Sequence, residues 1–189
     1  KMLAESDKKD LGCHTGTISD AFLELYQAGK LTNAHKELDT GLSAWNLAMG
    51  SQELYDWLDA EPQLFHPGDL DYIHSVKRIS KFSNVISING GVQLDLMGQE
   101  NAESTGTRQL SGVGGQMDFL EGAYRSKGGK GFICINASRV TKDGERKSNI
   151  LATIPGGSTI SAPRTMIQYV ATEYGIASLS GKTLRERAE

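Results

Sequence analysis

A stretch rich in glycine and small polar residues, residues 98–130, most constrains how this chain can fold. It holds two tight glycine clusters, GVGG at residues 112–115 and SKGGK at residues 126–130. The segment between them, GQMDFLEGAY, has room for a helix of about three turns at most. Glycine lets the backbone take positive φ and brings its N–H groups close to a ligand, because no Cβ stands in the way.

A helix that follows the first cluster would add its own unpaired N–H groups and the positive end of its dipole. The GVGG cluster is therefore a candidate for holding an anion, either a phosphate or the oxyanion of a carbonyl addition. The alternative is that two glycine-rich turns flank a surface helix and bind nothing. The glycines alone leave both interpretations open.

The composition is typical of a soluble globular protein, with 38% hydrophobic and 23% charged residues. The 189 residues suit about one to one and a half domains and can bury a sizeable core. A formal charge of −3 provides no field that would attract nucleic acid or an anionic membrane, so both are disfavoured as partners. No apolar run approaches the roughly 20 residues of a membrane span, and no signal peptide is visible.

Cys13 and Cys134 are too few and too far apart to indicate a disulfide framework or a zinc site. His66 and His74 have no spacing typical of metal ligands. We therefore expect no metal and a cytoplasmic protein. Both ends of the chain are predicted to lie in helices, which indicates a fragment of a longer polypeptide.

The first part of the chain predicts short helices and strands in alternation. Residues 1–9 predict a polar helix, and residues 12–16 a loop that leads into an amphipathic helix. One face of that helix has apolar residues at helical spacing, namely Ile18, Ala21, Phe22 and Leu25. Thr17 or Ser19 is expected to cap it, and Gly29 to end it.

Residues 41–49 then predict a strand, and Ser51 the start of a helix that Pro62 stops. Leu54, Trp57 and Leu58 are its expected buried stripe, and residues 63–71 predict a loop.

The second part predicts a sheet. Residues 85–96 predict a hairpin around the turn Asn89-Gly90-Gly91. Residues 131–135 predict a central strand with Cys134 as inert core. Residues 150–154 and 159–162 predict further strands. Short strands alternating with helices indicate an α/β or α+β domain.

Several motifs, taken together and in order, resemble one family. They are DLG-HT with the following SD (residues 10–20), Gly98-Gln99, Glu103-Ser104, SGVGGQMDF, SKGGK, Pro163-Arg164 and TEYGIASLSGKTLRERA. The chain is similar to the C-terminal half of the acetyl-CoA hydrolase / 4-hydroxybutyrate CoA-transferase family of class I CoA-transferases. The resemblance implies an α/β fold of the CoA-transferase type, a mixed open sheet with flanking helices. Residues 1–83 would be a leading segment and residues 84–189 the core of the C-terminal domain, with an N-terminal α/β domain missing.

The resemblance also implies the chemistry. Such enzymes move CoA between a short-chain acyl-CoA and a carboxylic acid, or hydrolyse acyl-CoA, with CoA as substrate and no permanently bound cofactor. Gly114 and Gly115 would supply the oxyanion donors. The residues expected to line the CoA arm are Gln99, Asn101, Lys127, Gly128, Gly129 and Lys130. A homodimer is implied as well.

One position departs from the family pattern. Where the transferases have His-Thr-Glu, with the glutamate as nucleophile, this chain has His14-Thr15-Gly16. Three explanations are open: chemistry without a glutamyl-CoA intermediate, substitution by another carboxylate such as Glu103, or loss of transferase activity. The rival functional class is a catalytically silent CoA-binding or assembly module of the same fold. A third, based only on the glycines, is a generic phosphate-binding domain.

Overall fold

The computed structural model describes residues 2–189. They form two compact units, residues 2–83 and residues 84–189. No helix in the described part of the chain is long and apolar enough to span a bilayer.

The first unit is built on a small parallel sheet. Its elements are β1 (His14–Ile18), α1 (Asp20–Gln27), β2 (Ser43–Ala48), α2 (Gln52–Ala60), a 3₁₀ turn (Pro62–Leu64), β3 (Phe65–Pro67), α3 (Leu70–Ile73) and α4 (Val76–Ile79). Strands β1 and β3 both pair in parallel with β2. The core beside the sheet consists of Cys13, Ile18, Leu23, Leu31, Leu54, Trp57 and Phe65.

The two longer helices of this unit start close to where their caps were predicted. Ser19 is the N-cap residue of α1, and Gly29 follows the helix with φ +67°. Ser51 caps α2 by accepting a hydrogen bond from the Leu54 N–H. Leu54 and Trp57 are buried as predicted, because the apolar side of α2 faces the core.

Four predictions in this unit are wrong. Ile18, expected on the apolar face of the first amphipathic helix, is the last residue of β1, and α1 begins only at Asp20. Described residues 2–9 form turns and bends instead of a helix, and Lys1 lies outside the described residues. Residues 14–16 belong to β1 instead of a loop, because β1 pairs with β2 on both sides of Gly16. Residues 63–71 contain β3 and the start of α3. In the two strand segments, pairing with a distant segment overrides the local pattern.

The second unit contains most of the strands. Its elements are β4 (Ile86–Gly90), β5 (Gln93–Asp95), β6 (Glu100–Asn101), β7 (Ser104–Thr105), β8 (Arg108–Gln109), α5 (Gln116–Arg125), β9 (Lys130–Cys134), β10 (Ser138–Val140), β11 (Arg146–Ser148), β12 (Ile150–Leu151), β13 (Tyr169–Thr172), β14 (Gly175–Ser178) and α6 (Leu184–Ala188). The largest sheet has the order β14-β13-β9-β4, and a smaller one the order β12-β5-β6. The α/β class is therefore confirmed, with the strands divided among several sheets.

Helix α5 covers one face of the four-stranded sheet. Strands β4 and β13 flank β9 in parallel, and β14 adds an antiparallel edge. Leu120 of α5 and Ile133 of β9 are both fully buried in the core between helix and sheet. The GVGG cluster before α5 and the SKGGK cluster after it therefore lie at opposite ends of this packed helix.

The predicted hairpin over residues 85–96 is wrong. Gly90 remains in β4, paired with Cys134, and the Gly91 N–H donates to the Cys134 carbonyl. The chain then enters a different sheet, where Leu94 pairs with Ile150 and Glu100.

Three further expectations need correction. Cys134 is exposed, because its side chain lies on the face of β9 away from the core. The strand over residues 150–154 is reduced to Ile150–Leu151. Residues 159–162 contribute only a bridge between Ala162 and Glu100.

Candidate active site

The GVGG cluster forms the turn that leads into α5. Gly114 has φ +58°, in the left-handed region that favours glycine, and Gly115 is the N-cap residue of the helix. Within residues 2–189, the backbone N–H groups of Gly114 and Gly115 have no hydrogen-bond acceptor. A Cβ built on Gly112 or Gly114 would meet no atom within 4 Å. The turn is therefore open, with donors available at the positive end of a helix dipole.

A buried carboxyl group lies one side chain away from this turn. Glu100 of β6 is 0% exposed, and its Oε2 accepts a hydrogen bond of 2.7 Å from Nε2 of Gln116, the first residue of α5. Its Oε1 is buried and has no partner among the described residues. Burial raises the pKa of Glu100 to about 7, the Gln116 hydrogen bond acts in the opposite direction, and the charge of Glu103 raises it further.

Sequence reasoning missed Glu100, although it named the residues on both sides. The residue type alone does not indicate burial, because glutamate is usually exposed. Only the pairing of Glu100 with Leu94 and Ala162 places it in the interior.

The residues predicted beside Glu100 have structural roles in the β5–β6–β7 connection. Gln99 donates to Asp95 through both its backbone N–H and its side chain. Asn101 is fully buried, and its Oδ1 accepts from the N–H groups of Glu103 and Ser104. Its Nδ2 donates to the Gln93 side chain and the Ser104 carbonyl. A direct contact of these side chains with CoA stays a prediction.

Glu103, the sequence candidate for a substitute carboxylate, is 8% exposed. Its Oε2 accepts a hydrogen bond of 3.3 Å from the Gln109 side chain. Its carbonyl accepts from the N–H groups of Leu110 and Ser111, so it also anchors the chain that leads to the GVGG turn. Whether Glu103 reacts with substrate stays a prediction.

The second glycine cluster is the turn from α5 into β9. Gly128 has φ +75°, and a Cβ on Gly129 would overlap the Ala123 carbonyl oxygen. Both glycines are therefore required by the turn itself. Lys127 and Lys130 have exposed side chains, so their ammonium groups are available to an anion.

Position 16 lies in a regular strand of the first unit. Gly16 follows Thr15, which pairs with Trp45, and precedes Thr17, which pairs with Leu47. Gly16 is absent from the positive-φ glycines of the chain, so its backbone is one that any residue can adopt. With no side chain, it offers no nucleophile.

The residues just before Gly16 are held by buried contacts. His14 Nε2 donates to the Ile73 carbonyl at 2.8 Å, which places the ring proton on that nitrogen. Burial lowers the pKa of His14 to about 4, so the imidazole is neutral at pH 7. Lys36 Nζ donates to the carbonyl of Cys13 at 2.8 Å and to that of Leu42 at 2.6 Å. The start of β1 is thus rigidly positioned.

Known proteins resemble this chain over its whole length. The family model described as "Acetyl-CoA hydrolase/transferase C-terminal domain" matches residues 50–189. A butyryl-CoA:acetate CoA-transferase of Anaerostipes caccae is 43% identical over 100% of this chain and 42% of its own length. This chain therefore spans less than half the length of such relatives.

Two solved structures share the fold. RipA from Yersinia pestis has a TM-score of 0.87 and 37% identity, over 96% of this chain and 40% of that one. A 4-hydroxybutyrate CoA-transferase from Porphyromonas gingivalis has a TM-score of 0.77 and 35% identity, over 96% of this chain and 41% of that one.

Proposed function

The chain belongs to the acetyl-CoA hydrolase/transferase family, and on that premise we propose that the whole protein acts on CoA thioesters. The reaction is transfer of CoA between a short-chain acyl-CoA and a carboxylic acid, or the related hydrolysis of acyl-CoA. The observation that carries the proposal is the open turn at residues 112–115, whose available N–H groups stand at the start of α5.

The turn suits the difficult step of either reaction. Attack on a thioester carbonyl develops negative charge on its oxygen, and preorganised N–H donors stabilise that charge more in the transition state than in the ground state. Removing one such donor from an enzyme typically lowers kcat by about 10²–10³. We assign this role to the backbone of Gly114 and Gly115.

The exposed lysines on the turn between α5 and β9 are the proposed contacts for the phosphates of CoA. Lys127 and Lys130 flank Gly128 and Gly129, whose lack of side chains keeps the turn tight. Gln99 and Asn101 are proposed to shape the adjoining wall for the CoA arm. We propose that an N-terminal α/β domain completes the acid-binding pocket, and that the protein is a cytoplasmic homodimer.

Gly16 affects what each of the two proposed reactions, transfer and hydrolysis, would require. Without a glutamate at this position, the glutamyl-CoA route has no nucleophile there, and transfer requires another carboxylate. Hydrolysis needs only an activated water and the oxyanion donors. Gly16 also favours a second candidate function, a CoA-binding module without turnover.

The test uses the full-length protein with acetyl-CoA, butyryl-CoA and carboxylic acid acceptors. We expect saturable binding of CoA in calorimetry and turnover of at least one short-chain acyl-CoA. Mass spectrometry after incubation with acyl-CoA and hydroxylamine or borohydride would identify any carboxylate that becomes a thioester. Binding without turnover selects the silent module, and neither binding nor turnover refutes the proposal.

A further inference from the structure

Glu100 is an unusual residue to find at this point of the fold. It is fully buried, and Oε1 has no partner within the described chain. A buried carboxylate with one unpaired oxygen is strongly unfavourable unless a cation or several donors surround it. Among the residues that the structure describes, the side-chain donor to Glu100 is Gln116, which bonds Oε2.

Apart from the hydrogen bond from Gln116, the surroundings of Glu100 disfavour its charged form. A Cβ built on Gly91 would lie 3.0 Å from both Glu100 Oε1 and the Ile133 side chain, so an apolar side chain adjoins the carboxyl group. The Glu100 backbone is bonded to that of Ala162 in both directions. Glu103 is the charged group whose field acts on it. The other carboxyl groups on β5 and α5 are those of Asp95, Asp118 and Glu121, and Glu121 is paired with Arg125. No lysine or arginine of the described residues lowers the pKa of Glu100, which is raised to about 7.

We propose that Glu100 is a positioning residue for the turn at residues 112–115 and that it works in its protonated, uncharged form. Its hydrogen bond with Gln116 fixes the first residue of α5, and thereby the N–H groups just before it. Because the group carries no charge, the N-terminus of α5 keeps its positive potential for an incoming anion. The proposal rests on the proposed function, since the anion in question is the oxyanion of the thioester.

The consequence is a pH dependence of a definite sign. When the solution pH rises above the pKa of Glu100, a negative charge appears one side chain away from the oxyanion donors and opposes the transition-state charge. We therefore expect kcat to fall as pH rises through about 7, with little change in KM.

The decisive variants are Glu100→Gln and Glu100→Ala in the full-length protein. Gln has nearly the same shape, can accept the Gln116 hydrogen bond and is never charged. Glu100→Gln should keep kcat at low pH and lose the fall near neutral pH. Glu100→Ala should lower kcat by about tenfold or more below pH 7, where the wild-type group is uncharged, because Gln116 loses its acceptor. Glu121→Gln, on the same helix and salt-bridged to Arg125, is the matched control and should leave the pH profile unchanged.

A measurement that does not depend on turnover tests this inference separately from the proposed function. Infrared difference spectra should show the carbonyl band of a buried carboxylic acid that disappears as pH rises through about 7, and Glu100→Gln should lack it. If the band is present but no acyl-CoA is turned over, the proposed reaction fails, and the pH dependence of acyl-CoA affinity then tests the positioning role. The inference is overturned if no such band titrates near neutral pH. It is equally overturned if Glu100→Gln retains the fall in kcat or in affinity, or loses activity as Glu100→Ala does.

Discussion

Two single residues, Gly16 and Glu100, bear on the reaction that we propose. The first lacks the carboxylate that the resemblance leads one to expect, and the second has a carboxyl group buried without a cation. Both residues lie in backbone of ordinary conformation, in β1 and β6. The backbone therefore does not require glycine at position 16 or glutamate at position 100.

At position 16 we expect Gly16→Glu to create or raise CoA exchange between an acyl-CoA and a carboxylic acid. The extended strand backbone accepts a side chain without strain, and the new carboxylate restores the nucleophile of the family pattern. The measurement is exchange of CoA between donor and acceptor by the full-length protein. Gly16→Gln has the same size without a carboxylate and should show no gain. Equal rates for both variants would mean that the pocket has diverged for another use.

At Gly114 the backbone conformation itself matters. Gly114→Ala forces a Cβ into a left-handed conformation, which costs roughly 1–2 kcal/mol and should turn or loosen the oxyanion donors. Gly112→Ala is the matched control, because both sites have open space but only Gly114 has positive φ. We expect kcat to fall for Gly114→Ala and not for Gly112→Ala. Equal kcat values would place the donors elsewhere.

At the scale of elements, the connection between α5 and β9 depends on close backbone approach. The Gly129 N–H bonds the Ser126 carbonyl, and the Lys130 N–H bonds the Val85 carbonyl, so the turn docks directly on the entry to β4. This arrangement aligns β9 with β4 in parallel and sets the position of α5 across them.

Gly129→Ala should therefore destabilise this unit strongly. The added Cβ would overlap the Ala123 carbonyl oxygen and the Ser126 side chain, so the end of α5 has to shift, at roughly 1–3 kcal/mol or more. Gly156→Ala, where nothing lies within 4 Å, serves as the control and should have little effect. Denaturant unfolding followed by circular dichroism measures both. A Gly129→Ala protein as stable as the control would mean that close backbone approach is not the reason for this glycine.

The elements that sequence reasoning placed correctly are those whose signals are local. Ser51 and Pro62 bracket α2 because a capping hydroxyl and an imino ring act within one turn. The hairpin at residues 85–96 was wrong because Asn89-Gly90-Gly91 has turn chemistry in a segment that pairs elsewhere. Its ladder partner, β9, comes after α5 in the chain, and no short-range pattern identifies it.

At the scale of the whole molecule, one face of the four-stranded sheet lacks a helix among the described residues. Ile86 and Ile88 of β4 and Ile176 of β14 are 53%, 69% and 67% exposed on that face. Phe132 and Tyr169 stack between them at 4.9 Å. Parallel sheets are usually covered on both sides, so this face is an exposed apolar surface.

We expect this face to bind a fluorescent apolar dye such as ANS when the 189-residue chain is studied. Ile88→Glu combined with Ile176→Glu should reduce dye fluorescence without changing the near-UV circular dichroism, because both side chains are exposed. Val140→Glu removes an equally exposed apolar side chain from the separate β10–β11 ribbon and should have little effect. Unchanged fluorescence in the double variant would mean that the dye binds elsewhere.

By itself, the order of motifs determined the family and the α/β class. Glycine clusters, caps and helix stops act over a few residues, so they can be recognised in the sequence alone. The same local signals located the turn at residues 112–115 in front of a helix. Only the tertiary structure decided that Glu100 is buried against Gln116, that Cys134 is exposed and that β4 pairs with β9. The physical reason is that burial and ladder pairing depend on segments far apart in the chain, whereas backbone freedom and capping belong to the residues themselves.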